Sequence, residues 1–451
     1  MAIQHSQTGT ARKPRSRQLW LFLALVFLLL FGSFRWNVFH IEAARTNFNL
    51  GVDDWLTPTL EIYAPGPGLL RSFGMLRIVH DNGTTSPYLM LAGFQRILYS
   101  AVSPHTAAGA DRAVPYLRSI ISAALAFAFT AFLFVVAREF GFFCASITAL
   151  LLAWSNWLIV FAPDLFWISA LFFIPFVLAW LLGDPARSLK QQRLLAVLFT
   201  LFCCMKCLCG FDYTTNICAA VSVPFLYYGL RRHNSLRTIA ARILRYGALS
   251  VLAFCSALTL QILQLLFVEK IPTSGIRAFF AEARMRTMSN GEGMTNGYDK
   301  AALSVLHWLH FPAARDAAII PFLVPLRPVL RYIRYLTMGA VTIPFPFHAL
   351  KIPIAFFVAG FVIACWLLRK RLRAEPDSRS SAWIAATLAA LVVSHLWIVA
   401  ANGHMTHVYF NAIVFYIPFL PMAYVALGMA CVKLRNDLRD RKLHRPQEVS
   451  V

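Results

Sequence analysis

The chain has 451 residues, of which 59% are hydrophobic and only 14% are charged, and its mean hydropathy is +0.61. These values exclude soluble globular, disordered and fibrous proteins, whose chains carry far more polar residues. The 42 lysines and arginines outnumber the 20 aspartates and glutamates, which gives a formal net charge of +22. The positive residues lie between apolar runs of about twenty residues, the length that spans a bilayer. The composition therefore predicts a polytopic membrane protein and not a nucleic-acid-binding protein.

The apolar runs predict transmembrane helices in chain order. The first run, 19–34, follows a polar and basic N-terminus, and no clean small-x-small cleavage site comes after it, which favours a signal anchor over a cleaved signal peptide. Further runs of spanning length lie at 115–137, 142–162, 165–183, 193–211, 213–230, 244–268, 351–368, 382–401 and 409–432. We therefore expect an all-α polytopic bundle of about ten transmembrane helices.

The distribution of charge orients these helices. If the N-terminus is cytoplasmic, the positive residues gather in the short inner segments and in two basic tails, 1–18 and 433–451, as the positive-inside rule expects. Two outer connections are long, 40–114 and 269–350, and long loops in a compact protein are usually functional or disordered. We expect a single membrane domain, 1–451, whose two outer loops carry short amphipathic helices that lie on the membrane.

The cysteines give no sign of a disulfide framework or of a zinc site in a loop. All nine lie inside the apolar runs, where a free cysteine behaves as a small apolar residue. Cys204 and Cys207 have a C-x-x-C spacing, but they also lie in a predicted span, so packing is the favoured interpretation.

Acidic residues at the outer side are the first candidates for chemistry. Asp53 and Asp54 follow the end of the first helix, and Asp164 lies in the short link between the third and fourth predicted helices. A carboxylate there can accept a proton from a hydroxyl group or can hold a divalent metal such as Mg²⁺ or Mn²⁺. The structural alternatives are a helix N-cap or a salt bridge to Arg45 or Arg71 for the aspartate pair, and a helix cap for Asp164.

Cationic residues form the second group of candidates. Lys206 lies within the fifth predicted helix, and a charge inside the membrane usually faces a cavity or a partner. It can reach outward to water, pair with an acid or bind a lipid phosphate. Cations in the outer loops run against the positive-inside bias, and an anionic lipid phosphate explains them because guanidinium groups bind phosphate in a bidentate manner. The candidates for contact with substrate or lipid phosphate are Lys206, Arg71, Arg277, Arg284, Arg286, His404 and His407.

This layout resembles the GT-C superfamily of membrane glycosyltransferases, which includes protein mannosyltransferases and aminoarabinose transferases. The resemblance lies in an enlarged first outer loop with an acidic motif at Asp53 and Asp54, an enlarged loop at 269–350, and Asp164 in a short outer link. It implies a sugar donor on a polyprenyl phosphate and a glycan, lipid or protein acceptor. It also implies that Asp53 or Asp54 is a general base and that Asp164 belongs to the catalytic group. Cations would stabilise charge on the leaving phosphate.

Two other classes of protein remain open at this point. An O-antigen ligase or polymerase is also basic and many-helical, but would depend on outer arginine and histidine rather than on Asp53 and Asp54. A lipid or glycan transporter should carry charges deep in several helices, whereas Lys206 is nearly the only one here. The expected location is a bacterial inner membrane, with both termini cytoplasmic, the site on the periplasmic side, and membrane lipids as neighbours.

Overall fold

The computed structural model describes residues 16–41, 77–79, 85–87, 93–95, 107–165, 167–288, 336–344, 350–374, 379–400 and 410–443. Most of this part of the chain is α-helical. The helices are α1 Ser16–Trp36, α2 Ala107–Phe140, α3 Phe142–Ala153, α4 Asn156–Phe161, α5 Ala170–Gly183, α6 Leu189–Cys209, α7 Thr214–Ala220, α8 Ser222–Arg231, α9 Leu236–Leu263, α10 Thr273–Met288, α11 Ile354–Ala374, α12 Arg379–Ala400 and α13 Phe419–Leu443. A π-helical turn, Gln264–Val268, continues α9, and a 3₁₀ helix, Phe410–Tyr416, precedes α13.

In the described parts of the chain, two short antiparallel ribbons accompany the helices, one in each long connection. Strands β1 (Arg77–Val79) and β2 (Thr85–Pro87) pair in the first connection. Strands β3 (Gly339–Ile343) and β4 (Leu350–Pro353) pair in the second and lead directly into α11. The sequence analysis predicted short amphipathic helices in both connections. A helix, α10, does lie in the second connection, and the ribbons were not predicted.

Among the described residues, five helices are long and apolar enough to cross a membrane, which confirms the prediction of an all-α polytopic membrane protein. Three further apolar helices in this part of the chain are shorter. The sequence predicted a complete transmembrane span at each of these three places. The five long segments are Arg17–Trp36, Ala113–Phe140, Leu189–Cys209, Leu236–Val268 and Arg379–Leu396, and the shorter ones are Phe142–Ala153, Ala170–Gly183 and Ile354–Arg369.

Other boundaries differ from the predicted ones for local reasons. The predicted span 213–230 consists of α7 and α8, which meet at Val221. The predicted span 409–432 begins as the 3₁₀ helix and becomes α-helical only after Pro418. Helix α2 starts at Ala107, inside the predicted first loop, and α13 extends to Leu443, inside the predicted C-terminal tail.

The end of the bundle at which α1 finishes, near Trp36, is called the outer end here, and the opposite end is called the inner end. At the inner end, Glu139 of α2 accepts hydrogen bonds from Arg231 at 2.7 Å and from the Tyr227 hydroxyl at 2.9 Å. Arg379, which starts α12, lies 4.0 Å from the same carboxylate. The inner end of α2 therefore meets the inner ends of α8 and α12, as an alternating up-and-down bundle requires.

Aromatic side chains fill the core just above this ion pair. Trp180 and Trp383 stack with ring centroids 5.0 Å apart, and Tyr227 lies against both rings. Both tryptophans are fully buried. Large aromatic residues bury much apolar area and add specific ring contacts, so this cluster joins α5, α8 and α12 into one core.

The predicted span 142–162 is broken into α3 and α4 at Trp154 and Ser155. The carbonyl of Trp154 accepts a hydrogen bond from the backbone N–H of Thr342 at 3.0 Å, and Ser155 forms a β-bridge with Val341. Strand β3 thus supplies the backbone partner that an uninterrupted helix would have supplied itself. Hydrophobic periodicity cannot detect this exchange, because the residues on both sides of the break are apolar.

Side chains reinforce the contact between β3 and the broken helix. The Thr342 hydroxyl donates to the Asn156 side-chain oxygen at 2.6 Å, and the Asn156 amide donates to the carbonyl of Gly339 at 3.4 Å. A Cβ atom at Gly339 would lie 2.9 Å from that amide nitrogen, so glycine permits the approach. The Tyr416 hydroxyl donates to the carbonyl of Ala340. Strand β3 is therefore held on two sides and buried at its centre.

Replacing Thr342 by valine tests this anchor, because valine keeps the shape of the side chain but removes the hydroxyl that bonds Asn156. We expect the free energy of unfolding to fall by about 1–3 kcal/mol, the usual cost of leaving a buried polar group without its partner. The measurement is reversible unfolding of the purified protein in mixed detergent micelles, followed by tryptophan fluorescence.

Thr130→Val is the matched control. Thr130 is also buried, but its hydroxyl bonds the carbonyl of Ala126 one turn earlier in its own helix. That carbonyl already belongs to the helical ladder, so we expect a much smaller change. Equal losses in the two variants would contradict a specific role for the Thr342 contact.

Candidate functional site

The structure describes some of the predicted site residues and not others. Asp53, Asp54, Arg71, His404 and His407 lie outside the described residues. Their predicted roles therefore stay predictions. The two loop arginines Arg284 and Arg286 lie on α10, in a part of the helix whose side chains are not described. Asp164, Lys206 and Arg277 are described with their side chains.

Asp164 lies in the link between α4 and α5 and is completely buried. Its Oδ1 atom accepts a hydrogen bond from the backbone N–H of Trp167 at 2.8 Å. The carboxylate thereby closes the turn that leads into α5, which begins at Ala170. This is the structural role that aspartate commonly has near a helix start.

Lys206 is buried inside the outer end of α6, with 1% of its surface exposed. Its ammonium donates to the carbonyls of Gly210 at 2.6 Å and of Asp212 at 2.9 Å, and it lies 5.0 Å from the centre of the Phe172 ring. A cation is favourable at a helix C-terminus, where carbonyls lack helical partners. Lys206 therefore closes its own helix end rather than reaching outward to water.

Glycine at position 210 allows the chain to turn back over Lys206. Gly210 has a φ of +144°, which L side chains rarely adopt, and Tyr213 follows with a φ of +60°. These two residues lead from the end of α6 into α7 within four residues. The carbonyl groups of this short link then point back at the ammonium, which explains the two bonds of Lys206.

Trp167 connects the two links. Its indole N–H donates to Oδ2 of Asp212 at 3.2 Å, while its backbone N–H donates to Asp164. Its ring lies 5.3 Å from the ring of Phe161. Trp167 thus joins the α4–α5 link to the α6–α7 link, because its backbone bonds Asp164 and its indole bonds Asp212.

The first long connection also reaches this point. Gln95 is fully buried, and its side-chain amide donates to the carbonyl of Cys209 at 2.6 Å. Phe94 packs against an apolar cluster that includes Leu165, Ile168 and Cys209. We call the group of Gln95, Asp164, Trp167, Lys206 and Asp212 the outer cluster.

The second long connection approaches the same link from another side. Phe279 of α10 is buried with Leu265, and Phe211 packs against this pair. Phe211 is the residue before Asp212, so α10 lies beside the α6–α7 link. Arg277, two residues before Phe279, is exposed on the same helix. Segments from both long connections therefore meet at one short link at the outer end.

Sequence reasoning found part of this cluster. The charges of Asp164 and Lys206 drew attention to them, since charge near or in the membrane is costly. Trp167 and Gln95 were missed, because a tryptophan in an apolar run and a glutamine in a loop are unremarkable by composition. No group of three or more histidine, cysteine, aspartate and glutamate side chains that could hold a metal occurs in the described residues. Asp53 and Asp54, which the sequence analysis offers either as a general base or as metal ligands, lie outside them.

Comparisons with known proteins give one structural likeness. No protein-family model matches the chain, and no curated protein matches it in sequence. A solved structure with a similar backbone is the oligosaccharyltransferase of Archaeoglobus fulgidus, tethered to an acceptor peptide, at 16% identity and a TM-score of 0.44. The likeness covers 96% of this chain but 51% of that protein, so the chain spans about half of its length. A TM-score of this size does not by itself establish a shared fold or activity.

Replacing Trp167 by phenylalanine tests whether this residue joins the two links. Phenylalanine keeps an aromatic ring beside Phe161 and keeps the backbone bond to Asp164, but removes the indole N–H that bonds Asp212. We expect faster amide hydrogen exchange in peptides that cover 209–214, because local opening needs less free energy when a connecting bond is lost. The measurement is hydrogen–deuterium exchange with mass spectrometry.

Trp154→Phe is the control for loss of an indole. The Trp154 indole N–H has no hydrogen-bond partner among the described residues, so its removal breaks no such bond. Exchange in 209–214 should then match the unaltered protein. If both variants leave exchange in 209–214 unchanged, the Trp167–Asp212 bond does not hold the links together.

Proposed function

We propose that this protein is a membrane glycosyltransferase that moves a sugar from a polyprenyl-phosphate donor to a cell-envelope acceptor at the outer face of the membrane. The observation that carries the proposal is the meeting of segments from both long connections at the α6–α7 link. A lipid-linked donor and a polar acceptor come from different phases. Their reaction needs a site at the membrane boundary where outer loops and helix ends lie together.

The outer cluster fits the framework of such a site. Its charged side chains are held by hydrogen bonds at the ends of apolar helices. Charged groups at such positions are expensive and are usually linked to function. A reaction site also needs rigid supports, because small displacements of reacting groups slow a reaction strongly. In this proposal the cluster positions the loops that carry the reacting groups.

The proposed reaction is a substitution at the anomeric carbon of the donor sugar. The hydroxyl oxygen of the acceptor forms the new bond, the bond from the sugar to the phosphate oxygen breaks, and the polyprenyl phosphate leaves with its electron pair. Asp53 or Asp54 takes the proton of the acceptor hydroxyl. The same carboxylates also suit Mg²⁺ or Mn²⁺ as ligands.

Cations on the second connection are proposed to stabilise the leaving phosphate. Arg277 is exposed on α10 beside the outer cluster, and Arg284 and Arg286 follow on the same helix. Arg71, His404 and His407 are the proposed contacts from the remaining outer segments. Electrostatic stabilisation of developing charge is commonly the largest single catalytic effect.

For Asp164 and Lys206 we propose roles that differ from those the resemblance implies. Asp164 is fully buried and bonds a backbone N–H, which suits a positioning residue better than a general base. Lys206 is engaged by two backbone carbonyls, so it would have to leave them to bind a lipid phosphate. We therefore assign both residues to the support of the site. The engagement of Lys206 also weakens the transporter alternative, in which a deep charge would line a substrate pathway.

The proposed location is a bacterial inner membrane with both termini in the cytoplasm. The basic N-terminal tail and the positive inner segments support this orientation through the positive-inside rule. The outer cluster would then face the periplasm, where a cell-envelope acceptor is available.

The test is the glycan profile of cells that contain the unaltered chain, no chain, or a chain with Asp53→Asn and Asp54→Asn. We expect one sugar to be lost from an envelope glycan both on deletion and in the double variant, because asparagine cannot accept the proton. Membrane levels of each variant are measured in parallel by immunoblot.

The matched control is Asp437→Asn with Asp440→Asn, which removes two exposed carboxylates from α13 at the inner end. This control should keep the normal profile. Loss of the sugar on deletion but not in the Asp53 and Asp54 variant would favour the O-antigen ligase or polymerase class. An unchanged profile after deletion would contradict the glycosyltransferase proposal.

A further inference from the structure

We infer that the inner ends of α6 and α9 form a binding site for an anionic phospholipid of the adjacent leaflet. Five cations carry the site: Lys190 and Arg193 on α6, and Arg237, Arg242 and Arg245 on α9. The site lies at the end of the bundle opposite the outer cluster, and none of the five has a role in the reaction proposed above. The inference concerns lipid binding and does not rest on the glycosyltransferase function.

The positive charge of these five residues is not balanced by acidic residues of the same helices. Neither α6 nor α9 contains an aspartate or a glutamate. Two acidic residues at the inner end, Glu139 and Asp184, are bonded by Arg231 and Arg138. Within the described part of the chain, none of the five cationic side chains takes part in an ion pair or a hydrogen bond. The inner ends of α6 and α9 therefore attract an anion.

Helices α6 and α9 lie side by side at the surface of the bundle. Phe199 and Cys203 of α6 are buried in one cluster with Ala253 of α9, and Leu195 and Ile243 pack against it from the two helices. These two spans are also the least buried of the five long ones. In a protein that spans a membrane, the exposed sides of such helices face lipid.

The exposed face of α6 joins a cation to an apolar stripe. Lys190 is exposed, and so are Leu194, Val197 and Leu201, each of which is more than half exposed. Residues at this spacing of three and four lie on one face of a helix. Lys190 therefore lies at the inner end of a stripe along which an acyl chain can pack.

Helix α9 repeats this arrangement. Arg237 and Arg245 are exposed, and the apolar residues Leu244, Val251 and Leu252 are each more than half exposed. Leu244 and Val251 follow Arg237 at intervals of seven residues, and Leu252 follows Arg245 at the same interval. Seven residues are close to two helical turns, so each arginine shares a face with the apolar residues beyond it.

The length of α9 places its arginines at the level of the lipid head groups. The helix has 28 residues, which corresponds to about 42 Å. The hydrocarbon core of a bilayer is about 30 Å thick, so about 12 Å of the helix extends beyond it. Arg245 lies about 13 Å from the start of the helix, at the boundary of the hydrocarbon core. Arg237 and Arg242 lie between this boundary and the aqueous phase.

The chemistry of the site selects a phospholipid with a net negative charge. Guanidinium groups bind phosphate oxygens through paired, charge-assisted hydrogen bonds. Basic sites between transmembrane helices at the cytoplasmic face bind anionic head groups. The positive-inside rule explains cations in the inner loops, but loop residues satisfy it equally well. It gives no reason for Arg242 and Arg245 to lie about two turns inside a helix, whereas a phosphate at that level does.

The experiment measures lipid binding to the full-length protein in detergent micelles by native mass spectrometry. The probes are dioleoylphosphatidylglycerol, which is anionic, and dioleoylphosphatidylcholine, which has the same acyl chains and a phosphate but no net charge. We expect the anionic lipid to bind more tightly. Arg237→Gln with Arg242→Gln and Arg245→Gln should weaken binding of the anionic lipid at least about tenfold.

Arg369→Gln with Arg435→Gln and Arg439→Gln is the matched control. It removes the same amount of charge from the inner ends of α11 and α13, where all three arginines are exposed. Phosphatidylglycerol should bind this variant as it binds the unaltered protein. The control separates a site at α6 and α9 from a general attraction between the basic inner end and anionic lipids.

Lys190→Gln with Arg193→Gln tests the α6 side of the site and should also weaken binding of phosphatidylglycerol. Melting temperatures establish that each variant is folded, and the α6 variant decides the question if the α9 variant is not. The inference is overturned if neither variant loses binding, if the control loses as much, or if the two lipids bind the unaltered protein equally. An unchanged glycan profile after deletion of the chain would contradict the proposed reaction but leave this result unaffected.

Discussion

The pairing of strand β3 with the break between α3 and α4 is the interaction on which the outer half of the bundle depends. Inside a membrane protein, a backbone group without a partner costs several kcal/mol, so a helix can stop at membrane depth only where protein replaces the lost bonds. The Thr342 N–H and the Ser155–Val341 bridge provide that replacement. The break in the helix and the insertion of the strand therefore require each other.

This constraint divides the bundle into two chemically different ends. At the inner end, aromatic rings and the Glu139–Arg231 ion pair close the core. At the outer end, α3 and α6 stop. The backbone carbonyls at or just after their ends accept hydrogen bonds from Lys206, from Gln95 and from the backbone of β3. The outer end is thus the only part of the described bundle where both long connections are bound to the helices. A reaction between a lipid-linked molecule and a polar one is best placed there.

The sequence predicted the features that depend on composition and missed those that depend on contact. Apolar length located the helices, and the cost of charge in a membrane singled out Asp164 and Lys206. For Asp164 the sequence offered a helix cap as one of two alternatives, and the structure has its carboxylate in the turn before α5. The carbonyl partners of Lys206 could not be read from the sequence, because they depend on how the chain turns after α6. The break at Ser155 and the role of Trp167 were missed for the same reason. In both cases the partner is remote in the chain, at Val341 and at Asp212.

The central claim is that the protein consumes a sugar linked to a polyprenyl phosphate. The most direct measurement is mass spectrometry of the lipid-linked sugars extracted from membranes of cells with and without the chain. The account predicts that one polyprenyl-phosphate sugar accumulates in membranes of cells that lack the chain. It also predicts that this sugar declines when purified protein is added back to vesicles made from those membranes. A pool of lipid-linked sugars that is identical with and without the chain would contradict it.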